Sequence, residues 1–169
     1  MIDYKLASST WDSKEIDAIH RVIKSDKYSM GDEVQNYEKD FANFFGSQFC
    51  VMTSSGSTAN LLMIASLFYT KDLTKRLKRG DEVIVPAVSW STTYFPLQQY
   101  GLKVKFVDID INSLNMDVSK IEDAISSKTR AIFAVNLLGN PNNFKKIQEI
   151  ADAKNLIILE DNCESMGAT

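Results

Sequence analysis

The chain has 169 residues, 44% of them hydrophobic and 24% charged, with a formal net charge of -3. That balance suits one globular domain or part of one, and it gives no basic footprint for nucleic acid. The longest apolar run, Leu61 to Phe68, is far short of a membrane span, Met1 to Lys5 lacks a signal-peptide pattern, and Cys50 and Cys163 have neither metal-ligand nor disulfide spacing, so a cytoplasmic chain without membrane, nucleic-acid or metal partners is expected.

Residues 1–48 read as a helical segment. Asp12 can cap a first helix to Ser25, with Glu15 at the reciprocal capping-box position and Ile16, Ile19, Val22 and Ile23 on one face. His20, the only histidine, lies off that stripe and reads as a solvated residue. After the turn at Ser29-Met30-Gly31, Val34, Tyr37, Phe41, Phe44 and Phe45 recur at helical spacing, and Gly46 is placed to stop the helix. An aromatic stripe of this kind is core or subunit contact rather than a cofactor box.

Residues 49–169 read as alternating strands and helices. Phe49 to Met52 is expected to be a buried strand that breaks through Thr53-Ser54-Ser55-Gly56-Ser57-Thr58 into a buried helix over Leu61 to Phe68. Such a turn leaves first-turn N–H groups without partners, and with the helix dipole they favour an anion. Gly56 is expected to permit the sharp turn, while Ser55, Ser57 and Thr58 can add hydroxyl donors. An ordinary Ser/Thr cap without ligand is the alternative. The stretch is neither a Walker loop nor a GxGxxG fingerprint.

The basic run Lys71 to Arg79 reads as a solvated helix end and loop. Further strands are expected at Glu82 to Val85, Val104 to Val107, Ala131 to Val135 and Leu156 to Leu159. Between them lie a helix from about Ser91 to Tyr100, one capped by Asp117 and one capped by Asn143. Five apolar strands with helices in the gaps indicate an α/β fold with a parallel sheet covered on both faces.

In such a sheet, ligands bind beyond the carboxyl ends of the strands. Three polar clusters fall at such ends: Ser54 to Thr58, Ser89 to Thr93 and Asp161 to Glu164. Their chemistry fits one ligand. The cup suits a phosphate, Trp90 offers a stacking face, and Asp161, after an apolar strand, can pair with a protonated ring nitrogen. Pyridoxal phosphate has all three features, although Trp90 as core filler and Asp161 as a cap are the plain alternatives.

The segments Gly56-Ser57-Thr58-Ala59-Asn60, Val85-Pro86-Ala87 leading into Trp90-Ser91-Thr92-Thr93, Val107-Asp108-Ile109-Asp110, Leu138-Gly139-Asn140-Pro141 and Glu160 to Ala168 occur in one order. In that order they resemble the pyridoxal-phosphate-dependent nucleotide-sugar aminotransferase and dehydratase family of DegT/StrS type, from Leu6 onward, and most nearly its branch of 3-dehydratases acting on GDP-4-keto-6-deoxymannose. The resemblance implies the three-layer large domain of the aspartate aminotransferase fold, incomplete in a chain of this length. It implies pyridoxal or pyridoxamine phosphate as cofactor, held by Gly56, Ser57 and Thr58 at the phosphate, Trp90 on the ring, Asp161 at the ring nitrogen and Glu164 near the ring hydroxyl. It further implies a nucleotide-sugar substrate, glutamate as amino donor, and a homodimer with active sites at the interface. The residue that meets the reactive carbon, histidine in dehydratases and lysine in aminotransferases, is expected downstream of Thr169. Dehydratase, sugar aminotransferase and non-catalytic fragment are the three readings that follow.

Overall fold

A computed structural model describes residues 8–167. Leu6, Ala7 and Ala168 of the resembling segments, and the Met1 to Lys5 stretch, lie outside the described residues. The chain divides after Met52 into two compact units.

The first unit carries two helices whose ends are set by local chemistry. Helix α1 spans Ser13–Ser25, and Asp12 and Glu15 form the expected capping box, with the Asp12 amide donating to Glu15 Oε2 at 2.8 Å. Helix α2 spans Asp32–Phe45 and ends at Gly46, which adopts φ 65°. A left-handed residue costs glycine nothing and lets the turn close on the last carbonyls. Along α2, Tyr37 meets Phe41, Phe41 meets Phe45, and Phe45 meets Phe44, in tilted or edge-on pairs with ring centroids 4.7–5.5 Å apart.

The expected strand at Phe49 to Met52 does not form. Among the described residues no strand pairs with it, and Phe49 is 77% exposed. It is held in this unit by the Met52 amide, which donates to Glu38 Oε1 at 2.7 Å, and by the Ser47 hydroxyl, which donates to Phe49 O at 3.2 Å. An apolar run fixes only the tendency to be extended; strand structure also needs a neighbour's hydrogen bonds.

The second unit is a four-stranded, all-parallel sheet in the order β2-β1-β3-β4. Helix α3 (Gly56–Tyr69) leads to β1 (Glu82–Pro86), α4 (Ser91–Gln99), β2 (Lys103–Val107), the short α5 (Ile121–Ala124), β3 (Thr129–Val135), α6 (Phe144–Lys154) and β4 (Ile157–Asp161). Four strands thus replace the five expected.

Side chains alternate between the two sheet faces, as the pleat requires. Val83, Val85, Ala131, Phe133 and Leu159 pack with Ile64 of α3 and Leu97 of α4. Ile84, Ile132 and Ala134 pack on the other face with Ile121 of α5 and Ile147 and Ile150 of α6. Helices therefore cover both faces in three layers. Helix α3 is less buried than its apolar sequence implies: only Asn60 and Ile64 are fully buried, and Leu62 is exposed.

Because every strand is parallel, all four carboxyl ends share one rim. The register pairs Pro86 with Val107 and Val135 with Asp161 at that rim. From β1 the chain runs to β2 at one edge, then crosses back past β1 to β3 and on to β4 at the other edge. Connections that diverge in this way leave a crevice at the rim. Among the described residues, no helix is long and apolar enough to cross a membrane.

Candidate functional site

The three polar clusters meet at this rim, and Asp161 is where they join. It is the last residue of β4 and only 8% exposed. Its Oδ2 accepts Asn60 Nδ2 of α3 at 2.8 Å and Thr93 Oγ1 of α4 at 3.1 Å. Its Oδ1 accepts the Cys163 amide at 3.2 Å. Thr93 uses its single proton on Asp161, so the 3.2 Å contact with Ser89 Oγ is a hydrogen bond donated by Ser89. Asn60 Nδ2 also reaches Thr92 O at 3.5 Å. One carboxylate therefore ties the starts of two helices to the end of a strand.

Besides these three donors the Cys163 thiol also hydrogen-bonds to Asp161, and an S–H is the weakest donor of the four and the one a stronger N–H can displace. All are neutral, and among the described residues Asp161 has no salt-bridge partner. A buried carboxylate without a cation is costly, and a charged N–H donor relieves that cost. Asp161 is thus suited to a protonated ring nitrogen, while its bond from the Cys163 amide is the cap that the plain alternative expected.

The cup forms at the N-terminus of α3 by a capping box. Ser55 Oγ accepts the Thr58 amide at 3.2 Å, and Thr58 Oγ1 accepts the Ser55 amide at 3.0 Å. Thr58 is turned inward by these bonds, and its hydroxyl also donates to Ser55 O at 2.8 Å. The amides of Gly56 and Ser57 have no acceptor among the described residues. The expected role of Gly56 as a turn former is corrected here. It is the first residue of α3, it lies outside the left-handed region, and a Cβ built on it meets nothing within 4 Å. What glycine provides is open space over two free amides, the arrangement that lets a phosphate approach a backbone closely.

Trp90 stands at the N-cap of α4 and is 74% exposed. It is not core, so its indole faces are free to stack. Glu164 is exposed too; its Oε2 accepts the Leu138 amide at 2.6 Å. That bond links the loop after β4 to the loop after β3, where Leu138 holds the left-handed value φ 54°. Asn136 reinforces the link, donating to Glu160 Oε1 at 2.6 Å and Ser165 Oγ at 3.2 Å.

Asn60 and Thr93 escaped the reading of site residues. The available signal was Asn60, an amide directly before the apolar run Leu61 to Phe68 of α3; a buried amide needs partners.

The Cys163 thiol is pushed up to about 11, by partial burial first and then by its hydrogen bond to Asp161 and the charges of Asp161 and Glu164. A raised value disfavours the thiolate, so at pH 8 only ~10⁻³ of the thiol is ionised. Iodoacetamide labelling followed by mass spectrometry should be slow at pH 8, quicken about tenfold per pH unit toward pH 11, and quicken at pH 8 in Asp161→Asn. Rapid labelling at pH 7 would contradict this. Among the described residues no cluster of His, Cys, Asp and Glu is placed to hold a metal.

Residues 9–169 match the DegT/DnrJ/EryC1/StrS aminotransferase family. The chain belongs to this family. It is 66% identical over 168 residues to GDP-4-keto-6-deoxy-D-mannose 3-dehydratase of Yersinia pseudotuberculosis, covering 99% of this chain and 42% of that protein. The E. coli GDP-4-keto-6-deoxy-D-mannose 3-dehydratase, solved with bound hydrated PLP, superposes with a TM-score of 0.93 at 63% identity, over 100% of this chain and 43% of that one. A mutant of GDP-4-keto-6-deoxymannose 3-dehydratase with bound GDP-perosamine superposes at 0.94 and 62% identity, over 99% and 43%. The chain therefore spans less than half the length of these family members. The family resemblance read from Gly56-Ser57-Thr58-Ala59-Asn60 and Glu160 to Gly167 is borne out.

Proposed function

We propose that this chain is the N-terminal, cofactor-holding part of a nucleotide-sugar 3-dehydratase that uses pyridoxal and pyridoxamine phosphate, with residues 49–169 as the binding part. The observation that carries the cofactor reading is Asp161, a buried carboxylate with neutral donors and no cation, on the rim that also carries the free Gly56 and Ser57 amides. The identities to 3-dehydratases supply the reaction.

Bound here, the cofactor would supply an electron sink and an amino group. The chain's own residues would do the following. Gly56 and Ser57 amides, with Thr58 holding the turn, take the phosphate. Trp90 stacks on the ring and shields it from water. Asp161 holds the proton on the ring nitrogen, and Asn60 and Thr93 fix its carboxylate. Glu164 accepts from the ring hydroxyl. The group that moves the proton at the reactive carbon lies outside residues 1–169, a histidine in this reading.

The substrate is a 4-keto-6-deoxy nucleotide sugar of the kind used for lipopolysaccharide deoxysugars. Its C3 hydroxyl leaves as water while glutamate is oxidised to 2-oxoglutarate and ammonia, which balances the two electrons gained at C3. The protein acts in the cytoplasm as a homodimer with its site at the subunit interface.

Two measurements test this. Titrating the chain with pyridoxal phosphate should shift the cofactor's absorbance, and no change at millimolar cofactor would remove the binding role. Product analysis of the longer protein with glutamate and keto sugar should give a 3-deoxy-4-keto sugar and ammonia. A stable 4-amino sugar would assign an aminotransferase instead.

A further inference from the structure

The basic run Lys71 to Arg79 does not stand alone in the fold. It meets a second basic segment, Ser127 to Arg130, around a cavity of about 560 Å³. Both segments lie where strands begin, β1 at Glu82 and β3 at Thr129. The cavity is therefore on the rim opposite Asp161. Arg76, Lys78, Arg79, Lys128 and Arg130 line it against one carboxylate, Asp81. Asp81 is buried and accepts the Lys78 amide at 2.9 Å. Glu82 feels Lys105 and Lys128, but its carboxyl is held low first by Ser126, whose hydroxyl donates to it at 2.6 Å. Among the described residues, none of the five cations forms an ion pair.

Neutral groups position the three guanidinium forks. Arg76 donates from Nε and Nη2 to Thr70 O, and Arg130 Nη2 donates to Thr74 O at 2.9 Å. Arg79 lies against Gly101, where a Cβ would come within 2.8 Å of its Cζ. Gly101 also has φ 72°, so this close approach depends on glycine. Placed without carboxylates, the forks keep their charge for a ligand. In a chain of net charge -3, this local excess of cations departs from the average surface.

We propose that the cavity binds a small anion carrying two linked phosphates. Arginine forks match phosphate geometry, and the cavity lies in the range of small-molecule sites, ~300–1,000 Å³. Cations contributed by both segments favour a diphosphate that bridges them over a single phosphate that cannot.

The test is calorimetric titration of the chain with pyrophosphate and with inorganic phosphate at low salt, after saturating the cup on the opposite rim with pyridoxal phosphate. One pyrophosphate should bind per chain, at least tenfold tighter than phosphate, and weaken as salt rises. The exposed-site variant Lys78→Gln/Lys128→Gln should lose at least tenfold in affinity with an unchanged melting curve, and Arg79→Gln should do the same. No binding at 10 mM pyrophosphate, equal affinity for the two anions, or undiminished binding in both variants would overturn the proposal. Retention of a polyglutamate peptide without pyrophosphate binding would also overturn it and assign the cavity to acidic polypeptide.

Discussion

Asp161→Asn is expected to leave the sheet folded and to cost the longer protein about 10³-fold in turnover. The substitution keeps the side chain's shape and one acceptor oxygen, so bonds from Asn60 and Thr93 can still be made in part. What it removes is the charge proposed to face the ring nitrogen. A pair at ~4 Å with an effective dielectric of ~20 is worth ~4 kcal/mol before desolvation, which corresponds to about 10³ in rate. Trp90→Ala separates the two contributions of the site. Its indole is 74% exposed, so its loss leaves the core intact and should weaken cofactor retention more than turnover at saturating cofactor. Steady-state rates at saturating pyridoxal phosphate, together with cofactor titrations, check both. Unchanged turnover in Asp161→Asn would show that the carboxylate is structural.

What could be read from the sequence was what is decided locally. The Asp12–Glu15 box, the Gly46 stop and the Asn143 cap each involve groups within a few residues, and each forms as expected. Asp161 was legible because an apolar strand must end where its polar neighbours begin. The partners of Asp161 were not, because Asn60 is 101 residues away and Thr93 is 68 away. No periodicity encodes which helix starts above which strand. Phe49 to Met52 failed for a related reason: its composition favours extension, but a ladder needs a second strand. Gly56 does not make the sharp turn expected of it. Its sequence context suggested a sharp turn, whereas it is the first residue of α3, its backbone lies outside the left-handed region and the space above it is open.

The long-range pair between Asn60 and Asp161 should also be visible in stability. Asn60 is 7% exposed, and its amide gives Asp161 its shortest hydrogen bond, at 2.8 Å. Asn60→Leu keeps the volume and removes the donor, leaving Oδ2 with Thr93 alone. A hydrogen bond to a charged group contributes ~1.5–3 kcal/mol, so the variant should lose about 2 kcal/mol in urea unfolding. The double variant Asn60→Leu/Asp161→Leu distinguishes a pair from two independent sites. Replacing both partners by apolar groups removes the desolvation penalty together with the bond, so the double should be more stable than Asn60→Leu alone by ~1 kcal/mol or more. Losses that simply add, to within ~0.5 kcal/mol, would mean that Asn60 does not act through Asp161. Coupling in stability together with weaker pyridoxal phosphate binding in Asn60→Leu would place Asn60 as the residue that aims the carboxylate, and Thr93→Val should show the same pattern at smaller size because its bond is longer, at 3.1 Å.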